Sequence, residues 1–168
     1  MTDAMKSVRS VAAMTELMHG ADYVDVKTFT GKRTLHEYVL RLVTCEPAWL
    51  RGLYRIRSGV AKLFGLTHDE EAFARSKDQG IDMTPGGMVS AFTSTASKPD
   101  HYWIGEVRDK HLDCFIAVVT EPDENGKTRF HTVTVVHYRH WIGPVYFNLI
   151  RPFHHVVVHY MGKYAAAD

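Results

Sequence analysis

The spacing of hydrophobic residues changes along the chain, and each change marks a different type of secondary structure. Residues 21–29 alternate between hydrophobic and polar positions, which predicts a first strand, and residues 30–32 then form a turn. Helical spacing follows and predicts two short helices, one capped by Thr34 and one from about residue 47 to 65. Residues 1–20 have only weak helical character and are predicted to be a frayed N-terminal lead-in. The apolar positions of the helix that Thr34 caps are Leu35, Tyr38, Val39 and Leu42.

Alternation returns in the second half of the chain, and a long helical segment ends it. The four strands predicted here are at about residues 87–97, 101–108, 111–121 and 128–141. The last helix covers about residues 145–166, and Pro152 is expected to kink or split it. Consecutive strands joined by tight turns form an antiparallel meander, which normally has one covered face. The pattern therefore predicts a single α+β domain over residues 21–168, in which a curved antiparallel sheet wraps around the long C-terminal helix.

Composition indicates a globular protein of one domain but does not indicate what reaction, if any, it catalyses. The 168 residues are enough for one domain, and 45% hydrophobic with 23% charged residues is typical of globular proteins. A formal net charge of +1 gives no electrostatic attraction to nucleic acid or anionic lipid, so neither partner is predicted. Two cysteines, Cys45 and Cys114, and the absence of a signal-peptide core or a long apolar run predict a cytoplasmic protein with no membrane insertion. The sequence leaves the oligomeric state open.

The lengths of the turns predict which residues share a face of the sheet. A two-residue loop at Asn125-Gly126 sets Cys114 opposite His137. A two-residue loop in the preceding hairpin sets Trp103 opposite Ile116. One extra residue in either loop would exchange the two faces of the sheet. The first of these loops also sets Ile116 opposite Val135, and a loop of two or four residues around Lys98-Pro99 sets Ser94 opposite Trp103 and Phe92 opposite Gly105.

One face of the sheet is therefore predicted to face the helix, and the other to face away from it. The predicted inner face carries Met88, Ser90, Phe92, Ser94, Trp103, Val107, Leu112, Cys114, Ile116, Val118, His131, Val133, Val135 and His137. The predicted outer face carries Thr93, Thr95, Tyr102, Ile104, Glu106, Arg108, Asp113, Phe115, Thr132, Thr134 and Tyr138. Since the charged residues fall almost entirely on the outer face, the inner face is expected to be the covered one.

Four stretches of the chain carry a family resemblance. They are ADYVDV at 21–26, PAWLRGLYRIRSGVAKLFGL at 47–66, DKHLDCFIAV at 109–118 and WIGPVYFNLIRPFHHVVV at 141–158. They resemble the helix-grip superfamily, also called START-like, polyketide-cyclase-like or SRPBCC, and within it an uncharacterised bacterial family of domains of unknown function. The resemblance implies a seven-stranded-type sheet around a C-terminal helix, with an apolar cavity between them. It implies no single activity, because members bind lipids, sterols or polyketides and some catalyse cyclisation or hydration.

The predicted function is the binding of a small amphipathic, lipid- or polyketide-like ligand in a mainly apolar cavity. Two alternatives stay open: a cyclase- or hydratase-like enzyme that uses a cavity histidine as general acid or base, and an interaction module whose core is filled. The residues predicted to contact a ligand are Phe92, Ser94, Trp103, Cys114, Ile116, His131, Val133, Val135, His137, Phe153 and Val157.

Cys114 and His137 form the sharpest catalytic hypothesis, because the predicted register sets them opposite each other. Opposite residues have Cβ atoms about 5 Å apart, so His137 would be within reach of the thiol proton. A small buried cysteine beside a core histidine is the simpler interpretation of the same pair. His131 is the third candidate for catalysis, since it too falls on the predicted inner face.

The spacing of one pair of histidines suggests a metal site, whereas the spacing of another pair argues against one. His155 and His159 lie four residues apart and share a helical face, as zinc ligands often do. The HExxH motif is absent, since Val156 follows His155. His131 and His137 would lie about 20 Å apart along a strand, too far to share an ion. No metal or other cofactor is predicted.

Overall fold

The alternating segments form one antiparallel sheet, and the last helix packs against it. A computed structural model describes residues 3–45, 81–108 and 110–167, together with the single positions 47, 49, 52 and 59. In these residues, six strands form a curved open sheet, accompanied by a long C-terminal helix and by short helices near the N-terminus. The predicted α+β fold class is confirmed.

The elements follow one another along the chain with few long connections among the described residues. The strands are β1 (Tyr23–Gly31), β2 (Met88–Val89), β3 (Phe92–Lys98), β4 (Tyr102–Arg108), β5 (Leu112–Pro122) and β6 (Thr128–Tyr138). The helices are α1 (Asp3–Arg9), α2 (Ala12–Met18), α3 (Leu35–Thr44) and α4 (Ile142–Ala166). The order across the sheet is β1-β6-β5-β4-β3-β2, so the first strand pairs with the last. No helix in the described part of the chain is both long enough and apolar enough to cross a membrane.

Several predicted boundaries are corrected. Strand β1 continues to Gly31, through two of the three residues predicted to form a turn. The predicted strand at 87–97 is two strands, because Ser90 adopts a φ of 56° in the turn between β2 and β3. The last strand ends at Tyr138 rather than at residue 141. Most of the second predicted helix, at 47–65, lies outside the described residues.

Helix α3 forms as its sequence predicts. Thr34 accepts a hydrogen bond from the backbone N–H of Glu37, and the Glu37 side chain accepts one from the backbone N–H of Thr34, which makes a capping box. All four predicted apolar positions of this helix are buried. Its Tyr38 ring stacks on Phe130 of β6 with a centroid distance of 4.1 Å. The cap and the apolar stripe therefore fix both the start of α3 and the side that packs on the sheet.

Helix α4 runs unbroken from Ile142 to Ala166 and contains Pro152. Of the two expected outcomes, a kink or a split, Pro152 therefore does not split the helix. Pro152 is exposed, so its ring faces solvent, and buried residues on both sides of it, Phe147 and Val158, hold the helix to the rest of the protein. Packing of the flanking turns compensates for the hydrogen bond that a proline cannot donate.

Both faces of the sheet are covered. We call the surface toward α3 and α4 the helix face. Its residues Trp103, Val118 and Phe130 belong to the core formed with these helices. The N-terminal face, which is the surface toward α1 and α2, packs in a second core with Val133 and Val135. Strands β5 and β6 contribute to both cores because their successive residues point to opposite faces.

Helices α1 and α2 complete the second core, so the prediction of a frayed lead-in is wrong for these residues. Val8 and Met14 are fully buried and contact the N-terminal face of the sheet. Each helix has only seven residues, which is two turns. Such short segments show too few repeats for helical spacing to be recognised in the sequence.

The hairpin between β5 and β6 differs from the prediction by one residue, and this difference moves every β6 residue of the predicted inner face. Pro122 pairs with Thr128, and the Asp123 N–H donates to the Lys127 carbonyl at 2.8 Å. The loop between Asp123 and Lys127 thus has three residues and ends on Gly126, whose φ of 68° is typical of this loop type.

The altered register exchanges the two faces of β6. Cys114 lies opposite Val136, and His137 lies opposite Asp113. The residues of β6 that move from the predicted inner face to the N-terminal face are His131, Val133, Val135 and His137. The residues that move to the helix face, against the prediction, are Thr132, Thr134 and Tyr138.

The hairpins around β4 also shift, but Trp103 stays on the helix face as predicted. Trp103 lies opposite Val118, two residues from its predicted partner, and a shift of two preserves the face. A bulge between Ser94 and Ala96 places Ser94 opposite Gly105 instead of opposite Trp103. The predicted pairing of Phe92 with Gly105 is therefore wrong, and the ring that lies against Gly105 is that of Trp103 in the same strand.

Candidate functional site

The sheet surface beneath α4 carries polar side chains, although both faces of the sheet are covered. Strand β1 contributes Tyr23, Asp25 and Lys27, and β6 contributes Thr132 and Thr134. The alternation of β1 turns Val24 and Val26 into the opposite core and therefore points these polar neighbours toward α4. We call these five residues the polar patch. Both threonines are buried, so the patch reaches the interior of the protein.

His155 of α4 connects two residues of the polar patch. Its Nε2 lies 3.0 Å from the Tyr23 hydroxyl, and its Nδ1 lies 3.0 Å from Lys27 Nζ. Lys27 has only donors, so Nδ1 accepts. A neutral imidazole then carries its proton on Nε2 and donates it to the Tyr23 oxygen. Lys27 also donates to Asp25 at 2.6 Å, which places its positive charge beside a carboxylate.

His154 and Tyr38 contact the other half of the patch. His154 Nε2 lies 3.1 Å from the Thr134 hydroxyl, and the Tyr38 hydroxyl lies 2.8 Å from that of Thr132. Adjacent residues of a helix point about 100° apart. For that reason His154 reaches β6 while His155 reaches the neighbouring strand β1.

Burial controls the protonation of the phenol in this cluster. Burial, and then the nearby Asp25 carboxylate, raises the pKa of Tyr23 to about 12. The phenol, which already keeps its proton at neutral pH, therefore keeps it into more alkaline solution as well, and remains a donor as well as an acceptor. Burial also raises the pKa of Tyr38, whose hydroxyl is part of the same surface.

A groove opens beside His155, between β1 and α4. Its volume is about 550 Å³, which lies within the range of small-molecule sites. The residues that line it are Lys27, His155, Val156, His159, Tyr160 and Lys163. On α4 these positions fall on one helical face, and Lys27 closes the groove from the sheet. The groove thus combines exposed apolar surface with nitrogen-bearing side chains.

Comparison with models of protein families gives a match over most of the chain. Residues 17–161 match the family model DUF2867, which is described as a protein of unknown function. The chain belongs to the DUF2867 family. The expected likeness to a family of unknown function is therefore confirmed, and no curated protein matches the chain.

The DUF2867 match includes every strand of the sheet and most of α4. The polar patch, His154 and His155 all lie within the matched range, whereas Lys163 lies two residues beyond it.

Part of the predicted ligand wall of this DUF2867 protein lies on the helix face. Trp103 and Ile116 belong to the buried core there, and Phe92 packs against the Trp103 ring with a centroid distance of 6.3 Å. The Trp103 indole N–H donates to the Ser94 hydroxyl at 2.9 Å. Cys114 is half-buried on the same face. These residues lie together, but apart from the residues that line the groove between β1 and α4.

The other predicted wall residues are on the N-terminal face or on α4. Val133 and Val135 pack in the α1–α2 core. His137 Nε2 lies 3.0 Å from the Leu17 carbonyl oxygen, and its ring is on the opposite face of the sheet from Cys114. The hypothesis of a Cys114–His137 dyad is therefore wrong, because the three-residue loop separates the pair.

His131 also lies on the N-terminal face, where it forms an internal bridge. Its Nδ1 lies 2.9 Å from the Thr28 hydroxyl and its Nε2 lies 3.0 Å from Glu121 Oε2. Ser7 of α1 donates to the same carboxylate oxygen. This buried histidine therefore ties α1, β1 and β5 to β6. Of the two candidates on α4, Phe153 is 45% exposed and Val157 is half-buried.

The expected sharing of a helical face by His155 and His159 holds, since both line the groove. In the described part of the chain, no group of three or more His, Cys, Asp or Glu side chains is arranged to hold a metal ion.

Sequence reasoning missed the residues of β1 that form the polar patch. The available signal was the alternation itself. If Val24 and Val26 pack in a core, then Asp25 and Lys27 must point to the other face, which was predicted to meet the helix.

Proposed function

We propose that this protein binds a small amphipathic molecule in the groove between β1 and α4. The observation that carries the proposal is the composition of that groove. Val156 is 58% exposed and Tyr160 is also exposed, so apolar surface there is open to a ligand. The polar residues at its base, Lys27 and His155, can orient a bound molecule. Ligand sites generally combine apolar walls with a few polar groups in this way.

The helix-grip superfamily is the proposed wider relationship of the chain. The curved antiparallel sheet and the long C-terminal helix support it. In that superfamily, the space between sheet and helix receives lipid- or polyketide-like molecules, and the groove lies between these same two elements. The proposal therefore keeps the predicted class of ligand and moves its site from the predicted wall to the β1 edge of the sheet.

Ligand-dependent stabilisation tests the proposal, with decanoate and decanol as probes below their micelle concentrations. A ligand at about 100 times its Kd stabilises the folded state by about 2.7 kcal/mol, which thermal unfolding detects. The variant Val156→Asn should lose this stabilisation. Val145→Asn is the matched control, because Val145 is 48% exposed on the same helix but does not line the groove.

Two results would contradict ligand binding in the groove. One is that neither probe changes the unfolding temperature and that no molecule is found by native mass spectrometry of freshly purified protein, which would favour the interaction module with a filled core. The other is that both asparagine variants respond to the probes in the same way, which would place the binding outside the groove.

An enzyme that uses His155 as general acid or base is the second candidate function. The observation in its favour is the position of the His155 ring between the Tyr23 hydroxyl and Lys27 Nζ, where it contacts both at 3.0 Å. Such a relay can hold and move a proton at Nε2. A co-purified ligand should then change mass, by hydration for example, when it is incubated with the protein. His155→Gln should bind the same ligand and leave its mass unchanged.

A further inference from the structure

We infer that the polar end of the ligand is an anion, specifically a carboxylate, and that Lys27 and Lys163 receive it. This inference rests on the proposed function, since it concerns the same groove. It adds the charge of the ligand.

The charges around the groove favour a single negative charge. Two lysines line the groove and no acidic residue does. The acid in contact with this cluster is Asp25, which pairs with Lys27 at the base. With the histidines uncharged, the two lysines and Asp25 together carry a net charge of +1. A carboxylate matches that charge, whereas a phosphate monoester carries about −1.5 to −2 at neutral pH.

The hydrogen bonds of Lys27 leave one donor for the ligand. An ammonium group has three N–H donors, and two of them are directed at Asp25 and His155. The Lys27 side chain is only 17% exposed, so an oxygen that reaches its third donor is largely removed from water. Charge-assisted hydrogen bonds in such a position are stronger than those between neutral groups.

The two lysines lie at opposite ends of the apolar part of the groove. Lys27 contacts His155, Val156 and Tyr160 form the apolar part, and Lys163 follows Tyr160 by about one turn on the same side of α4. A carboxylate bound in the groove is therefore attracted by both lysines, while the rest of the ligand contacts Val156 and Tyr160.

Four ten-carbon probes that differ only in the head group test the inference: decanoate, decanol, decyltrimethylammonium and decyl phosphate, each below its micelle concentration. Calorimetry or thermal unfolding measures their affinities. We expect decanoate to bind about tenfold more tightly than decanol and the cationic probe to bind weakest. Salt should weaken the binding of decanoate but not that of decanol.

Reversing one charge localises the head group. Lys163→Glu should weaken the binding of decanoate by about tenfold, which is the effect expected for a charge reversal about 5 Å away in a water-like medium. Lys163→Gln should give a smaller loss, and both variants should weaken the binding of decanol less than that of decanoate. Lys98→Glu is the matched control, because Lys98 is an exposed lysine at the end of β3.

The outcomes separate this inference from the proposed function. Equal affinity for decanoate and decanol, or equal effects of Lys163→Glu and Lys98→Glu, would overturn the inference and leave binding in the groove intact. Tighter binding of decyl phosphate than of decanoate would overturn the carboxylate assignment. Failure of all four probes to bind would count against the groove as a ligand site altogether.

Discussion

Replacing Met14 by alanine tests whether the N-terminal helices are part of the folded core. Met14 lies in α2 and is fully buried against the N-terminal face of the sheet, in the core that contains Ala117 and Val133. A residue in a frayed lead-in would contribute nothing to stability. The structure instead requires Met14→Ala to open a cavity between α2 and the sheet.

The size of the effect follows from the burial of the side chain. Truncating a buried Met to Ala costs 2–5 kcal/mol in general, and we expect about 3 kcal/mol here because no part of Met14 is exposed. For a protein of this length, each kcal/mol lowers Tm by about 2–4 °C. Met14→Ala should therefore lower Tm by about 6–12 °C.

Urea denaturation and thermal unfolding measure this loss, with Glu16→Ala as the matched control. Glu16 is in the same helix and exposed, so its replacement should stay within about 0.5 kcal/mol of the unmodified protein. If Met14→Ala is no more destabilising than Glu16→Ala, then α1 and α2 do not pack on the sheet as described. The slope of the urea transition should stay the same, since the substitution alters stability without altering the extent of the fold.

Three further results are expected. Gly105→Ala should cost about 1–3 kcal/mol in urea denaturation, because a Cβ there would overlap the Trp103 ring, and unchanged stability would argue against this packing. Burial raises the pKa of Tyr23 to about 12, so the folded state holds this proton more tightly. The stability that it contributes below pH 10 is therefore lost as the pH rises toward 12, and Tyr23→Phe should reduce the loss, whereas an identical alkaline transition would refute the shift. A hydrogen bond from Ser7 is the main reason that the pKa of Glu121 is held below its usual value of 4.5. The stability that this carboxylate contributes is therefore lost as the pH falls below 4.5. Glu121→Gln should flatten that part of the acid unfolding curve, and an unchanged curve would contradict the contact.

Local signals in the sequence predicted local structure well. Helix α3 is the clearest case, since its cap at Thr34 and its apolar positions lie within one short segment. The alternating strands and the long last helix were also recognisable, and together they gave the fold class. In each case, the residues that determine the element are near neighbours in the chain.

The register of β6 could not be predicted in the same way. Residues 130–136 are all buried, because cores cover both faces of this strand. The alternation of threonine and valine at 132–135 therefore does not mark an exposed side and a buried side, and here the threonines lie on the helix face. The only remaining signal was the length of one loop, and Gly126 fits a two-residue loop and a three-residue loop equally well. The one additional residue in that loop therefore determines that His131 and His137 lie on the N-terminal face and not on the helix face.

The candidate site was harder to predict than the fold, because it depends on contacts between distant segments. Asp25 and Lys27 meet His155 from opposite ends of the chain. His155 and His159 were recognised as neighbours on one helical face, but their partners in β1 were not. The single-domain interpretation, the cytoplasmic location and the absence of a nucleic-acid partner stay predictions.

The pairing of β1 with β6 also has a consequence for synthesis of the chain. Strand β1 ends at Gly31, yet its partner is complete only when Tyr138 has been added. A ribosome that adds about 5–20 residues per second needs roughly 5–20 s to cover that interval. During this interval, the β-prone segment around Val24 and Val26 has no partner strand with which to pair. Asp25 and Lys27 interrupt its apolar positions and so act as gatekeepers against aggregation of the nascent chain, before they meet α4 in the finished protein.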